Sequence, residues 1–509
     1  MRARYVLGEN GVVVAAGTLS RSEEFDRLQQ RLERALEANT AASGVDHVVL
    51  AMPSYSVGES LLSHYADRVV ALEHRYLVAA LMLGRIRSCE MVILVSKAPD
   101  PAIMDYYVSL LPADTQDSAR ERLHIKEVPG EGARSIAGKL LDNPELLDEL
   151  RDFVRERPAL IEPWNVTEAE VEVACRLGIP VNGTPPHLRN QAFKSAGRRL
   201  CKAAGVPVPP GREDVRNVDD IIAAIRELRS ERPGLKGVLV KLDDSASGDG
   251  NITVDLLSPD ASDDGLRRRL GALPGWYLQD LAAGAAVEEL VSGTWFSSPS
   301  AQLDMSSGAG IKVVATHEQV LGGKDGQTYL GCRFPADPRY AAEIAGHANA
   351  IGERLAQVGA RGRCAIDFVA VGAANGGHSV AAVDINLRKG GTTHPYAVLR
   401  NVVPGTYDSE EGEWLANDGT TRSYVATDNA VDPAWRRVSA SDLITGVRSA
   451  GVQFDAAKGS GAVLHMLSGL AIDGRFGMTA IGRSRQEADE IYDAVLTAVS
   501  EQARLNASI

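Results

Sequence analysis

Two short apolar runs, each containing one aspartate, flank a glycine-rich turn in the second half of the sequence. The runs are CAIDFVAV (364–371) and VAAVDINL (380–387), and GAANGGHS lies between them. Apolar runs on either side of such a turn are typical of an antiparallel β-hairpin. If the turn is centred between residues 375 and 376, Asp367 lies opposite Asp384. A fold that forms this hairpin therefore has to bring two carboxylates together.

Two opposed carboxylates need a positive charge beside them. The Cβ atoms of directly opposed residues are only about 5 Å apart, and like charges at that distance destabilise a sheet. Side chains alternate along a strand, so Asp384, Asn386 and Arg388 share one face. Two carboxylates and an amide suit Mg²⁺, and Arg388 would then point toward a metal-bound phosphate. Alternatively, the long turn shifts the register and leaves both acids solvated at a sheet edge.

A second glycine-rich segment follows another predicted strand. It reads GVLVKLDDSASGDGN (237–251), and strand-like residues resume directly after it. Gly248 and Gly250 leave backbone N–H groups free to wrap phosphate oxygens, and Lys241 adds a point charge. Alternatively, the segment is an ordinary polar turn beside a solvated lysine.

Two further patterns are weaker. Lys194, Arg198 and Lys202 follow each other at helical spacing and form a basic stripe, and most such stripes are solvated faces. The run AAVEELVSG (285–293) predicts a strand between domains whose backbone and acidic side chains contact an adenine edge. By composition, this run is indistinguishable from any strand end.

Composition and missing motifs exclude several classes of function. The formal net charge of -13 argues against a general nucleic-acid partner or an anionic membrane. The five cysteines lie far apart in the sequence, so no two of them have the spacing of a zinc-binding pair. The absence of an evenly numbered cysteine framework favours a reducing cytoplasm. The run YLVAALMLG is much shorter than the ~20 residues that a membrane span needs. The sequence contains no GxxxxGK[ST], no strand-linked GxGxxG and no GxSxG, and the segment HEQVL lacks the second histidine of a zinc protease helix.

The order of predicted elements divides the 509 residues into three domains. Residues 1–160 alternate strands and helices, which indicates an α/β domain. Residues 161–405 combine strands, glycine-rich turns and helices, which indicates α+β. Residues 406–509 predict a small α+β domain that ends in a helix begun by the capping sequence SRQE at Ser484.

The order of the four motifs is more specific than any one of them. The order is a lysine helix followed by GVPVPPG, then a strand lysine with a glycine loop, then VEELVSG, and then D…DINLR. Residues 160–405 resemble the ATP-grasp superfamily in this order of their motifs. In that superfamily two α+β subdomains clamp ATP. The segments VKLDDSASGDGN, DINLRKGGTTHP and SLLPADTQDSARERL most resemble the pheganomycin-type peptide ligases, which extends the similarity over nearly the whole chain. The resemblance implies an N-terminal pre-ATP-grasp domain, a two-subdomain ATP-grasp core and a small C-terminal domain.

The resemblance also implies a role for each matching position. Residues implied to bind ATP are Lys194, Lys241, the lid Ser247, Gly248, Asp249, Gly250 and Asn251, and the adenine hinge Glu288, Glu289 and Val291. The implied metal ligands are Asp367, Asp384 and Asn386, and the implied catalytic residues are Arg388 and Lys241. Gly391, Thr392, Thr393 and His394 follow at the acyl-substrate end. His394 is either a base for the amine or a hydrogen-bonded structural histidine. Two positions depart from the family pattern, because Asp384 replaces a usual glutamate and Trp295 lies near an expected acidic ribose contact.

The implied reaction is ATP- and Mg²⁺-dependent ligation of a carboxylate to an amine. It proceeds through an acylphosphate, releases ADP and phosphate, and serves peptide natural-product biosynthesis. The expected substrates are a small carboxylic acid or amino acid and an amine or peptide. Family analogy adds a possible homodimer. The alternatives are an ATP-grasp enzyme with a thiol nucleophile and a non-catalytic nucleotide-binding regulator.

Overall fold

The structure is a computed structural model that describes most of the chain. The described residues are 5–7, 13–15, 20–56, 68–132, 134–245, 250–306, 310–323, 328–373 and 376–507. No helix in these ranges is long and apolar enough to cross a membrane.

The strands are as follows: β1 Tyr5–Leu7, β2 Val13–Ala15, β3 His47–Met52, β4 Cys89–Val95, β5 Leu123–Glu127, β6 Ala159–Pro163, β7 Gly211–Val215, β8 Gly237–Leu242, β9 Asn251–Asp255, β10 Ala285–Glu289, β11 Phe296–Ser297, β12 Pro299–Ser306, β13 Gly310–Gly322, β14 Thr328–Phe334, β15 Gly362–Gly372, β16 His378–Asn386, β17 Gly405–Asp408, β18 Glu413–Ala416, β19 Thr421–Val431, β20 Gly461–His465 and β21 Arg475–Gly482.

The α-helices are as follows: α1 Arg21–Gln29, α2 Leu32–Ala38, α3 Val69–Glu73, α4 Pro101–Ser109, α5 Gln116–Glu121, α6 Ile136–Leu141, α7 Pro144–Val154, α8 Glu168–Leu177, α9 Lys194–Ala203, α10 Val218–Glu231, α11 Asp263–Gly271, α12 Gly275–Ala283, α13 Ala341–Gln357, α14 Thr393–Val402, α15 Ala440–Ser449, α16 Gly469–Asp473 and α17 Arg485–Ala507. Shorter 3₁₀ segments occupy His74–Gly84, Ala113–Thr115, Pro186–Ala192 and Pro433–Arg437.

The N-terminal part is a parallel sheet covered by helices. Its strand order is β5-β4-β3-β6, and every neighbouring pair is parallel. Strand β3 is buried along its whole length, as expected for a parallel strand covered on both faces. Helix α8 begins with a capping box, in which Thr167 and Glu170 each bond the other's backbone N–H.

A small antiparallel sheet forms the second layered unit. Its order is β7-β10-β8-β9, and α10, α11 and α12 share one hydrophobic core with it. The glycine-rich segment that follows β8 returns as β9, so the predicted hairpin is confirmed on its described sides. This unit carries Lys241 on β8 and Glu288 on β10.

The largest sheet joins the middle and the end of the chain. Its main path is β11-β15-β12-β13-β14-β19-β18-β17, with β16 beside β15 and β21 and β20 beside β19. Helix α9 packs on β16, which brings the helix lysine to the aspartate hairpin. The α/β and α+β fold class is confirmed. Strand β6 crosses residue 160 and the sheet continues beyond residue 405, and the domain boundaries at these positions stay predictions.

Candidate functional site

The aspartate hairpin forms as the sequence predicts, with one addition. β15 and β16 pair antiparallel, and Asp367 lies opposite Asp384. Nearer the tip Phe368 pairs with Ala382, so the two strands are one residue out of the predicted register there. A bulge at Val383 brings Asp384 back into the predicted register, because a bulge sets two residues of one strand against one residue of the other.

Asp367 is held by side chains from β13 and β16. Gln319 donates from Nε2 to Oδ1 at 2.9 Å, and Asn386 donates from Nδ2 to Oδ2 at 3.0 Å. Burial, followed by the charge of Asp384, raises the pKa of Asp367 to about 6. Burial disfavours the charged carboxylate, and the neighbouring charge of Asp384 adds to that effect.

Lys194 lies against the second aspartate. Its Nζ donates to Asp384 Oδ1 at 2.6 Å, and only 9% of the lysine side chain is exposed. Lys194 is the first residue of α9, whose N-terminus is fixed by Asp243, because the Ser195 N–H donates to Asp243 Oδ1 at 2.7 Å. The alternative of a solvated stripe is therefore wrong for Lys194.

Lys241 and Glu288 form a buried pair beside the bulge. Their side chains are 8% and 2% exposed, and Nζ lies 2.7 Å from Glu288 Oε2. Lys241 also donates to the carbonyl of the bulged Val383 at 3.3 Å. Arg198, another stripe residue, lies 3.0 Å from Glu288 on its other side. The bulge thus links the lysine strand to the aspartate hairpin.

Other predicted ATP-binding residues lie around this pair. Glu289 points the opposite way, to Arg232 at 2.6 Å, and Val291 follows the end of β10. Gly250 and Asn251 lie at the start of β9, whereas Ser247, Gly248 and Asp249 are outside the described residues. The hinge and lid assignments stay predictions.

Arg388 follows the end of β16. Its Nη1 donates to the Lys389 carbonyl at 3.1 Å, and among the described residues it has no ion-pair partner. Burial lowers its pKa, while Asp384 and Asp367 oppose that shift. Arg388 therefore offers a positive charge that is not tied up in a direct ion pair and that feels the charges of the aspartate pair.

The end of the motif turns into α14. The Thr392 carbonyl accepts from Gln302 Nε2 at 2.8 Å, and the Thr393 hydroxyl accepts from the Gly390 N–H at 3.0 Å. At Gly391 a Cβ would lie 2.4 Å from Tyr329 Cε1, so the ring can approach only because this residue is glycine. These bonds hold the segment in place and leave its substrate role a prediction.

His394 lies in a buried polar cluster. Its Nε2 is 2.8 Å from Asp428 Oδ1, and Arg75 lies 2.9 Å from Asp428 Oδ2. His465 lies 3.4 Å from the same carboxylate. Although burial opposes it, Arg75 and the two histidines hold the pKa of Asp428 well below its usual range. Burial lowers the pKa of both histidines, that of His465 to about 3.

This cluster favours the structural interpretation of His394. The ligand atoms of His394, Asp428 and His465 lie within 4.8 Å of one another, which is close enough for a metal. Arg75 already neutralises Asp428, however, and would repel a divalent cation. We therefore interpret the cluster as a link between α14, β19, β20 and the N-terminal part of the chain.

The aspartate hairpin is the better metal site. Asp367, Asp384 and Asn386 offer oxygen atoms together, and a bound cation would offset the burial and the charge of Asp384 that raise the pKa of Asp367. Sequence reasoning missed Gln319 and Asp243, which position Asp367 and Lys194. Gln319 is 48 residues from its partner, and no local pattern could have indicated the contact.

Comparisons with known proteins identify the family. The chain is 31% identical over 451 residues to an L-propargylglycine--L-glutamate ligase of Streptantibioticus cattleyicolor, covering 84% of this chain and 90% of the relative. The chain belongs to the ATP-grasp ligases of the pheganomycin type. Residues 442–495 of this ATP-grasp ligase match the family model of the PGM1 C-terminal domain.

Two solved structures share the fold of this ATP-grasp ligase. A Campylobacter jejuni biotin carboxylase has a TM-score of 0.55 at 12% identity, covering 90% of this chain and 95% of that one. An N5-carboxyaminoimidazole ribonucleotide synthetase, solved with ADP, has a TM-score of 0.51 at 13% identity, covering 90% and 98%. At these identities the likeness shows the fold alone.

Proposed function

We propose that this ATP-grasp ligase joins a carboxylate to an amine at the expense of ATP, and that the aspartate hairpin is its reaction centre. The observation that carries the proposal is the opposition of Asp367 and Asp384 next to Lys194, Lys241 and Arg388. A pair of carboxylates beside cationic side chains suits a polyphosphate that carries Mg²⁺.

The chemistry consists of two displacements. A carboxylate oxygen of the acid attacks the γ-phosphorus of ATP, the bond to the bridging oxygen breaks, and ADP leaves. The amine nitrogen then attacks the acyl carbon, phosphate leaves with the electrons of the C–O bond, and the nitrogen loses a proton. The products are an amide, ADP and phosphate.

Each residue contributes one step to this scheme. Asp367, Asp384 and Asn386 would hold Mg²⁺, which supplies neutralisation of phosphate charge. Lys194 and Lys241 bind phosphate oxygens, and Arg388 stabilises the charge that moves during transfer. We assign residues 247–251 the role of a lid that excludes water from the acylphosphate, and we assign adenine binding to Glu288, Glu289 and Val291.

The substrate classes follow from the family. The named relative ligates propargylglycine and glutamate, both amino acids. We propose an amino acid or small acid as acyl donor, an amine or peptide as acceptor, and a place in peptide natural-product biosynthesis. The five cysteines, all unpaired and buried, support a reducing cytoplasm as its location. The homodimer stays a proposal from family analogy.

A matrix of candidate acids and amines with MgATP tests the function. Each mixture is scored for ADP, AMP, phosphate, pyrophosphate and coupled product. We expect ADP and phosphate in equal amounts, and only when both substrates are present.

Other product patterns decide against the proposal. AMP with pyrophosphate would rule out the acylphosphate. Turnover with thiols and not with amines would favour the thiol alternative. Nucleotide binding without turnover across an amino-acid matrix would favour the regulator.

A further inference from the structure

A narrow cleft lies immediately beyond the aspartate pair, and its charged side chains are all positive. The segments 163–166, 182–184 and 387–389 form its walls, together with Arg363 on β15. Among the described lining residues the charged ones are Arg363, Arg388 and Lys389. A cleft with cations and no acids in its walls favours an anionic occupant.

Lys389 is already neutralised, whereas Arg363 keeps an unused donor and Arg388 has no ion-pair partner among the described residues. Lys389 Nζ lies 2.7 Å from Glu162 Oε1 and also donates to the Pro163 carbonyl. Arg363 reaches Asp304 only at 3.3 Å through Nη2, although 87% of its side chain is buried. Its Nη1 is buried and has no hydrogen-bond partner in the described part of the chain.

Both arginines lie at the end of the hairpin that carries the two acids. Asn386, the last residue of β16, pairs with Ala365. Arg363 lies two residues before Ala365 on β15, Arg388 follows β16 by two residues, and both line the cleft. Two guanidinium groups in the wall of one cleft favour an anionic ligand there.

The amide and hydroxyl side chains of the cleft each already make hydrogen bonds. Asn165 bonds the backbone of Ser56 through both amide atoms, and Asn182 donates to Glu162 at 2.8 Å. Thr184 donates to the Arg361 carbonyl at 2.8 Å. A ligand in the cleft thus meets the two guanidinium groups as its available strong donors.

We propose that this cleft binds a dicarboxylate acyl donor, with the reacting carboxylate at Arg388 and the second carboxylate at Arg363. The proposal rests on the ligase function proposed above and deepens it by naming the substrate class. Arg363 is then a specificity-determining residue, because it distinguishes a doubly charged acid from its singly charged analogue. Lys389 positions the cleft wall through Glu162 and Pro163.

The test is calorimetric titration of the full-length protein with matched pairs of acids. The pairs are succinate, glutarate and adipate, each against its monomethyl ester, and L-glutamate against L-glutamine. We expect at least one diacid to bind about tenfold or more tightly than its singly charged partner, because a charge-assisted hydrogen bond is lost. Arg363→Gln should remove this preference, and Arg363→Lys should keep part of it.

Arg361→Gln is the matched control. Arg361 donates to the carbonyls of Ala356 and Ala360 and does not line the cleft, so its variant should keep the preference. The proposal is overturned if no diacid is preferred by more than about twofold. It is also overturned if Arg363→Gln, with an unchanged circular dichroism spectrum, keeps the preference.

Binding and turnover separate this proposal from the ligase function. A diacid that binds with the Arg363-dependent preference but never gives ADP with any amine would support the cleft and overturn the ligation. Ligation of monocarboxylates without any preference for diacids would support the ligation and overturn the cleft.

Discussion

Replacing Glu288 with glutamine tests the buried ion pair that holds Lys241. Glu288 is 2% exposed and lies 2.7 Å from Lys241 and 3.0 Å from Arg198. Glutamine keeps the size and removes the charge. Arg198 retains Glu213 at 2.9 Å, whereas Lys241 has no second carboxylate partner in the described part of the chain. The substitution therefore leaves one buried ammonium without a counter-charge.

The expected cost follows from this burial. Removing one partner of a buried pair costs about 3–5 kcal/mol. We expect the lower end, about 3 kcal/mol, because the glutamine carbonyl still accepts one hydrogen bond from Lys241. Since β8 and β10 share a separate core with α10–α12, the loss should fall on that unit.

Native-state hydrogen exchange of the β8 and β10 amides measures the loss. A cost of about 3 kcal/mol speeds exchange by roughly a hundredfold. Glu289→Gln is the matched control, since the next residue pairs with Arg232, whose side chain is 50% exposed. An exposed pair contributes about 1 kcal/mol at most. Equal exchange rates in the two variants would refute the buried-pair reasoning.

Three further variants test other parts of the molecule. Gly391→Ala should lower the free energy of unfolding by about 1–3 kcal/mol, because the added Cβ meets the Tyr329 ring. Gly390→Ala is the control, since its added Cβ meets no atom within 4 Å, and it should keep the parental melting temperature. Equal melting temperatures of the two variants would contradict this packing. Arg388→Ala should lower kcat by about 10²–10³-fold with an unchanged circular dichroism spectrum, and parental turnover would remove Arg388 from the site. Burial lowers the pKa of His317 to about 3, so its stabilising effect is complete above the unfolded pKa of ~6.5 and is lost as pH falls. Urea titrations should therefore show that His317 makes the free energy of unfolding about 2 kcal/mol smaller at pH 5 than at pH 7. If His317→Gln shows the same change of unfolding free energy with pH as the parent, this prediction is wrong.

The hairpin was predictable because its two strands are close in sequence. Strand periodicity and one turn were enough to oppose Asp367 and Asp384. The bulge at Val383 was not predicted. It corrects a one-residue difference in register that arises nearer the tip of the hairpin. That bulge is also where Lys241 reaches the hairpin, so the missed detail is part of the site.

The stripe on α9 shows what a single segment cannot reveal. Helical spacing puts Lys194, Arg198 and Lys202 on one face, but solvation depends on what packs against it. The structure sets Asp384 and Glu288 against the first two residues, from strands that lie far along the chain. Long-range partners of this kind carry no local pattern, and the same holds for Asp428 beside His394.

The hairpin arranges opposite charges in order along one face. Asp367 and Asp384 pair in one register position, Ala365 and Asn386 in the next, and Arg363 and Arg388 line the cleft beyond them. Each arginine is four residues from the aspartate of its own segment, and four extended residues span about 13 Å, which is enough to separate a metal-bound phosphate from the far end of a small acid. The strand register holds Asp367 and Asp384 opposite each other, and a one-residue slip would turn one of them to the other face. The order of charges thus separates two tasks along the hairpin, with the proposed metal at the acids and the carboxylates of the proposed acyl donor at the arginines.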